Sequence, residues 1–231
     1  MLKLGAPSKG RLQEETIGWF AARGVRLALS GVGREYAGRV EGAPGVALVL
    51  LSAAEIPREL AAGRLHLGVT GQDLVREEIP DWAGRLEELA AMGFGFADLV
   101  VATPAFWIDV REMSDLDAAA ADFRARRGFR LRVATKYRRL VREFFRRHGI
   151  ADYQLVESAG ATEAAVKNLT AEAIADITTT GATLRDNHLR PLDDGLILRS
   201  QATLIASRVA DWTPESAAAR AALVARLGLP E

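Results

Sequence analysis

Ala173-Ile174-Ala175-Asp176-Ile177-Thr178-Thr179-Thr180-Gly181-Ala182-Thr183-Leu184 passes from an apolar segment through a carboxylate and a run of hydroxyl residues to a glycine, then restarts. That order predicts a buried strand, a tight turn at Gly181 and a helix beginning near Thr183. The N–H groups at a helix start lack intrahelical partners and attract anions. Thr178, Thr179, Thr180 and Thr183 add hydroxyl donors to those amides. Asp176, at the carboxyl end of the strand, is placed to accept hydrogen bonds from two vicinal ribose hydroxyls, as an acidic residue does in dinucleotide sites. The same letters also describe a threonine-capped bend in which glycine supplies only a positive φ.

Working outward, short apolar runs alternate with helical patterns over nearly the whole chain. This predicts an α/β protein built from βαβ units around largely parallel sheets. Residues 2–6 form a first strand, and 11–23 carry Leu12, Thr16, Trp19 and Phe20 at helical spacing before Gly24. Val46–Leu51 is a continuous apolar strand, and Ser52-Ala53-Ala54-Glu55 then has a capping-box pattern opening a helix that stops at Gly63. Residues 65–69 give another strand, followed by Thr70-Gly71-Gln72-Asp73 with its acid in a first helical turn. After an apolar run over 94–103 and the breaker Pro104, Ser114-Asp115-Leu116-Asp117 caps an Ala-rich helix. Strand Leu131–Thr135, a helix over 136–148, strand Tyr153–Glu157 and a helix near 162–168 lead to Asp176. Leu196-Ile197-Leu198 and 202–206 read as strands returning to the first lobe, before a terminal helix over 214–227. The organisation expected is a first lobe of residues 1–98 and 189–231, with a second lobe, 99–188, inserted into it. A cleft between two such lobes is a common ligand site.

Bulk properties narrow the function classes. The chain has 231 residues, 49% of them hydrophobic, enough to bury a core in one large or two small domains. Thirty basic and 30 acidic residues leave no formal net charge, which argues against a dominant nucleic-acid surface. With no cysteine, disulfides, thiolate metal sites and cysteine nucleophiles are all excluded. Met1-Leu2-Lys3-Leu4 enters a strand directly without the apolar core of a signal peptide, and no apolar run is long enough to span a bilayer. The expectation is a cytoplasmic protein.

Several further segments carry candidate chemistry. Ser8-Lys9-Gly10-Arg11 joins the first strand to the first helix, where amides and two cations meet phosphate, or where Ser8 merely caps the helix. Glu157-Ser158-Ala159-Gly160-Ala161-Thr162-Glu163 is a second strand-to-helix turn in the same lobe as Asp176. Glu163 there either accepts from an amino group or the edge of a base, or stabilises a helix N-terminus. Gly33-Arg34-Glu35 and Ile56-Pro57-Arg58-Glu59 supply arginines suited to bidentate phosphate recognition, although a lone surface arginine is usually solvated. Between 136 and 148, Tyr137, Leu140, Val141, Phe144 and Phe145 share one helix face, which reads as core, and the arginines around them read as a solvated face. His66, His148 and His188 form no helical pair, so neither a zinc site nor a catalytic triad can be assembled.

Taken together, Pro7-Ser8-Lys9-Gly10-Arg11-Leu12, Gly68-Val69-Thr70-Gly71-Gln72-Asp73-Leu74, Gly160-Ala161-Thr162-Glu163 and Asp176-Ile177-Thr178-Thr179-Thr180-Gly181-Ala182-Thr183-Leu184 resemble the ATP phosphoribosyltransferase family, over nearly the whole chain. The resemblance implies two α/β lobes of the periplasmic-binding-protein type II fold. Phosphoribosyl pyrophosphate is then held by Asp176, Thr178, Thr179, Thr180, Gly181, Ala182 and Thr183 in the second lobe, and ATP lies in the cleft with Lys9, Arg11, Asp73 and Glu163. The family reaction, the first step of histidine biosynthesis, joins N1 of adenine to C1 of the phosphoribosyl group and expels pyrophosphate. N1 already has a lone pair at neutral pH, so no Ser, Cys or His nucleophile has to be generated. Charge builds on the leaving group and on an oxocarbenium-like sugar, which calls for cations, Mg²⁺ carried with the substrate phosphates and preorganised amides. By resemblance, Arg34 and Arg58 stabilise the pyrophosphate, and whether they serve their own or a neighbouring subunit's site stays open. No direct side-chain ligand for the metal is expected.

The chain ends soon after the helix over 214–227, as in short forms of the family. Those work as at least homodimers and with a regulatory subunit resembling histidyl-tRNA synthetase, through which histidine inhibits. Two alternatives share parts of the pattern. A bilobal solute-binding protein uses the same fold. A nucleotide-salvage phosphoribosyltransferase uses a similar loop, but typically with two adjacent acids, where this chain has Ala175 before Asp176.

Overall fold

The computed structural model describes residues 1–29, 37–158 and 160–230. The chain divides into two units, Met1–Gly95 with Gln201–Glu231, and Phe96–Ser200. This moves the expected boundaries. The segment 189–200, assigned from sequence to the first lobe, is the strand β11 (Leu189–Ser200), and it pairs antiparallel with β7 (Ala97–Pro104) inside the second unit. Leu196-Ile197-Leu198 therefore belongs to the second sheet, and only β12 (Ala202–Ser207) returns to the first.

In the first unit, β1 (Leu2–Pro7), β2 (Arg26–Leu29), β3 (Ala37–Glu41), β4 (Val46–Leu51), β5 (Leu67–Gly71), β6 (Leu86–Ala91) and β12 form one sheet in the order β2-β3-β4-β1-β5-β12-β6. Only β1 with β4 and β1 with β5 run parallel; the other pairs are antiparallel. Alternate residues feed two cores. Leu2, Leu4, Leu48, Val69 and Leu204 pack with Phe20 of α1 (Gly10–Ala21) and Leu223 of α9 (Pro214–Arg226). Ile205 packs instead with Ile56 and Leu60 of α2 (Ile56–Ala61) and Val75 of α3 (Gln72–Glu78), beside the short α4 (Trp82–Arg85). Gly68 lets α2 lie directly on the sheet, because a Cβ there would stand 2.7 Å from Ile56 Cγ2. That is closer than any carbon contact tolerates.

In the second unit, β8 (Leu131–Thr135), β9 (Tyr153–Glu157) and β10 (Ala173–Thr178) join β7 and β11 in the order β11-β7-β10-β8-β9. β8 is parallel to both β9 and β10, and β7 runs against β10 and β11. One face, with Leu99, Val101, Ala173 and Ala175, is covered by α5 (Met113–Arg127) and α6 (Arg138–Arg147). The other, with Val100, Ala102 and Ile174, is covered around Val166 of α7 (Ala164–Lys167) and Leu184 of α8 (Ala182–Asp186). Tyr137, Leu140, Val141, Phe144 and Phe145 are all buried, so the aromatic stripe is core as its spacing predicts.

The sheets are thus mixed rather than largely parallel. β7, β11 and β12 lie where the chain leaves and re-enters the first unit. A strand arriving there has no crossover helix to make it parallel to its neighbour. Helix starts also shift. Ser52 and Glu55 do bond to each other, with the Ser52 N–H and hydroxyl both donating to Glu55 Oε2, but they close a turn ahead of α2. Those two bonds hold the Glu55 carboxyl below its ordinary range. α5 is capped by a Glu112/Asp115 box, two residues before the expected Ser114 cap. Asp115 accepts from the Arg111 and Glu112 N–H groups, which lowers its pKa.

Candidate active site

Because β8 is parallel to β9 and β10, their carboxyl ends reach one edge of the second sheet, the place where open α/β sheets bind ligands. At that edge β10 delivers Asp176 and Thr178 on one face, two residues apart, and leaves Ile177 on the other. Asp176 is half-buried, and its Oδ1 accepts from the Ile177 N–H at 2.9 Å. This holds the carboxylate near the strand while leaving Oδ2 for a ligand.

The turn that follows is closed by its own hydroxyls. Thr178 Oγ1 accepts from the Gly181 N–H at 2.9 Å, and Thr180 Oγ1 accepts from the Ala182 N–H at 3.3 Å. Two amides expected to face an anion are therefore satisfied by threonine oxygens. Each of those hydroxyls still has its own proton to donate, polarised by the bond it accepts. The donors this turn can offer are thus hydroxyls more than the amides the sequence implies. Thr179 points elsewhere, donating to the Phe96 carbonyl at 3.0 Å, and so fastens the loop to the entry of β7. Gly181 has φ +70°, and a Cβ there would meet Arg185 Nη1 at 3.0 Å. Left-handed backbone of this kind is costly for any other residue. Arg185 in turn donates to the Thr180 carbonyl at 3.1 Å. Ala182 and Thr183 are exposed in the first turn of α8.

The second turn, after β9, is organised around Gly160. Its carbonyl accepts from the Ser158 hydroxyl at 3.0 Å and from the Thr162 hydroxyl at 3.1 Å, with Thr162 buried. Glu163 is half-buried at the N-cap of α7 and makes no capping bond with its side chain. Helix capping therefore does not account for it. Three charged residues that sequence reasoning passed over share this edge. Asp98 stands opposite Thr178 on β7, Arg199 stands opposite Asp98 on β11, and Lys136 follows the last residue of β8. Asp98 was legible as a lone carboxylate in the apolar run 94–103; Arg199 was hidden by the misplaced return strand.

In the first unit the ends of β1, β4 and β5 likewise reach one edge, and the Ser8 N–H donates to the Leu51 carbonyl at 2.8 Å. Lys9, rather than Ser8, is the N-cap of α1, and no side chain caps that helix. Its first amides thus open beside two exposed cations, Lys9 and Arg11. Arg11 pairs with Glu15 at 3.1 Å, an exposed pair of little energy. Asp73 is only 6% exposed in the first turn of α3, where the helix end favours its charge. Arg58 is 65% exposed and donates to Glu78 Oε2, at 2.6 Å from Nη2 and 2.8 Å from Nε. Arg34 lies outside the described residues. Among the described residues no three His, Asp or Glu side chains gather as a metal cage, and no helix is long and apolar enough to cross a membrane.

The family model described as ATP phosphoribosyltransferase matches residues 52–227. The ATP phosphoribosyltransferase of Cereibacter sphaeroides is 66% identical over 229 residues, covering 99% of this chain and 97% of the relative. Among solved structures, the ATP phosphoribosyl transferase (HisG:HisZ) complex from Thermotoga maritima superposes with a TM-score of 0.73 at 20% identity, covering 99% of this chain and 96% of that one. The periplasmic aliphatic sulphonate binding protein SsuA from Escherichia coli gives 0.51 at 16% identity, over 99% of this chain and 79% of that one. At these identities the structural likeness is one of fold, and the fold is the two-lobed periplasmic-binding-protein type. Solute-binding and nucleotide-salvage readings are not favoured beside the family match. The chain belongs to the ATP phosphoribosyltransferase family.

Proposed function

We propose that this pentosyltransferase joins N1 of the adenine of ATP to C1 of 5-phosphoribosyl 1-pyrophosphate, releasing pyrophosphate in the first step of histidine biosynthesis. The observation that carries the site assignment is the β10–α8 turn, with one free carboxylate oxygen on Asp176 and polarised hydroxyls on Thr178 and Thr180 at one sheet edge. Asp176 accepts from the ribose hydroxyls, and Thr178 with the groups from Thr180 to Thr183 holds the 5-phosphate. Thr179 acts by fixing the loop to Phe96 rather than by touching the sugar. Glu163 and the uncapped start of α1, with Lys9 and Arg11, serve ATP.

The chemical step needs charge stabilisation on the departing pyrophosphate more than a base or nucleophile. Arg58 fits because its pairing with Glu78 is exposed and yields easily to a polyanion. Arg34 is assigned the same role on family resemblance. The donor set suits Mg²⁺ bound to the substrate phosphates and water, the usual habit of an ion that dehydrates reluctantly. When bound it neutralises pyrophosphate charge. We further assign a cytoplasmic location, a homodimeric catalytic core and a regulatory partner resembling histidyl-tRNA synthetase.

Arg58→Ala should change unfolding free energy by less than about 1 kcal/mol, since the lost pair is exposed, while lowering kcat roughly tenfold. Denaturant melts and steady-state kinetics check both halves. Unchanged kcat would remove Arg58 from the mechanism. The substrate assignment is tested by calorimetric titration with phosphoribosyl pyrophosphate and Mg²⁺, which should saturate at one molecule per chain. Absence of binding would contradict it.

A further inference from the structure

β8 lies between β9 and β10 in the second sheet, so the residue that follows it stands between the two turns of the candidate site. That residue is Lys136. Val133 pairs with Ala173 and Ala134 with Ile174 across β8 and β10, and Thr135 pairs with Glu157 across β8 and β9. Carried on along the strands, these registers set Lys136 beside Asp176 on one side and Ser158 on the other, each one strand spacing of about 4.8 Å away. The Ser158 N–H donates to the Thr135 carbonyl at 3.3 Å, so the alignment with β9 persists past the strand end. The faces agree as well. Val133 and Tyr137 are buried on the face covered by α5 and α6, whereas Ala134 and Ile174 are buried on the other, so alternation gives Lys136 the face of Asp176.

The backbone at Lys136 is fixed from both sides. Thr135 Oγ1, itself buried, accepts from the Tyr137 N–H at 2.9 Å, and Tyr137 is fully enclosed, while Lys136 between them is exposed. Its Nζ stands 4.9 Å from the centroid of the Tyr137 ring, a weak contact at an exposed cation. Beyond that contact Lys136 has no hydrogen bond or ion pair among the described residues. Glu157, at the end of β9, faces Arg138 instead, at 4.0 Å. α6 begins at Arg138 with no side-chain cap and no acid in its first turn, so nothing in that turn opposes an anion near Lys136.

We propose that Lys136 binds the pyrophosphate of phosphoribosyl pyrophosphate and stabilises it as it leaves. This rests on the assignment of the β10–α8 turn to the sugar phosphate, which also sets the direction. Thr179 ties that turn to Phe96 at the entry of β7, on one side of β10, whereas β8 and Lys136 are on the other. In ribose, C1 and C4 flank the edge that carries the two hydroxyls. With those hydroxyls on Asp176 and C5 over the turn, C1 and its pyrophosphate point toward β8. As the lone pair of adenine N1 forms the bond to C1, the bond from C1 to the pyrophosphate oxygen breaks and its electron pair leaves with pyrophosphate, which gains one negative charge. The ammonium keeps its protons and interacts more strongly with that added charge than with the ground state.

The test is calorimetric titration of wild type and Lys136→Gln with pyrophosphate and Mg²⁺, and separately with ribose 5-phosphate, beside steady-state kinetics. Lys136→Gln should weaken pyrophosphate at least tenfold and ribose 5-phosphate less than twofold, and should lower kcat at least tenfold. The melting temperature should be unchanged, because the side chain is exposed. Lys136→Arg should recover part of the pyrophosphate affinity, since it restores the cation. Pyrophosphate affinity unchanged by Lys136→Gln, in a wild type that binds both ligands, overturns the inference and leaves the turn assignment standing. Equal losses for pyrophosphate and ribose 5-phosphate overturn it too, by placing Lys136 at the sugar-phosphate end. A wild type that binds neither ligand overturns the turn assignment and this inference with it.

Discussion

Asp176→Asn is expected to lower kcat/KM for phosphoribosyl pyrophosphate by about 100-fold, the loss of charge-assisted bonds worth roughly 2–3 kcal/mol. The substitution keeps Oδ1, so the bond from the Ile177 N–H at 2.9 Å is retained and the strand end is undisturbed. Asp176 is half-buried and, among the described residues, in no ion pair of the second unit, so its neutralisation leaves no orphaned charge. Tm should therefore hold within the effect of an ordinary surface change. Steady-state kinetics with varied phosphoribosyl pyrophosphate, beside a thermal melt, separate the two. An unchanged kcat/KM would remove the ribose contact from the account.

Phe145→Ala should destabilise the second unit by about 3–5 kcal/mol, the range for emptying a fully buried aromatic site. Phe145 has no exposed surface, and its ring packs at a tilt of 53° against Tyr153 with centroids 4.6 Å apart. The void would open beside Tyr153 of β9, within the core cluster that α6 shares with the sheet. Arg146→Ala, one residue along and exposed, should shift stability by less than roughly 0.5 kcal/mol. Urea melts of both variants check the contrast. A mild effect at Phe145 would mean that the aromatic stripe is not the core of this unit.

Those two positions also mark where sequence is legible. Val46–Leu51, Leu131–Thr135 and Tyr153–Glu157 are found at the expected bounds, since uninterrupted apolar or alternating runs bury without ambiguity. β2 and β3 are short, mixed in polarity and held by antiparallel pairing, so no local pattern announces them. β11 contains Pro191, Asp193, Asp194 and Gly195 and shifts register twice, which disguises a strand and displaced the expected lobe boundary. The Asp176 loop was readable as a strand-to-helix turn from its composition. Its internal wiring was not, because the Thr179 bond to Phe96 joins residues 83 apart. Asp73 shows the converse: its place in a first helical turn was correct, but only packing reveals that it is buried.

The central claim is that this chain transfers a phosphoribosyl group to N1 of the adenine of ATP. Purified protein mixed with ATP, phosphoribosyl pyrophosphate and Mg²⁺, with and without the regulatory partner, should show the ultraviolet change of adenine alkylated at N1, together with release of pyrophosphate. No such change under either condition would contradict the account.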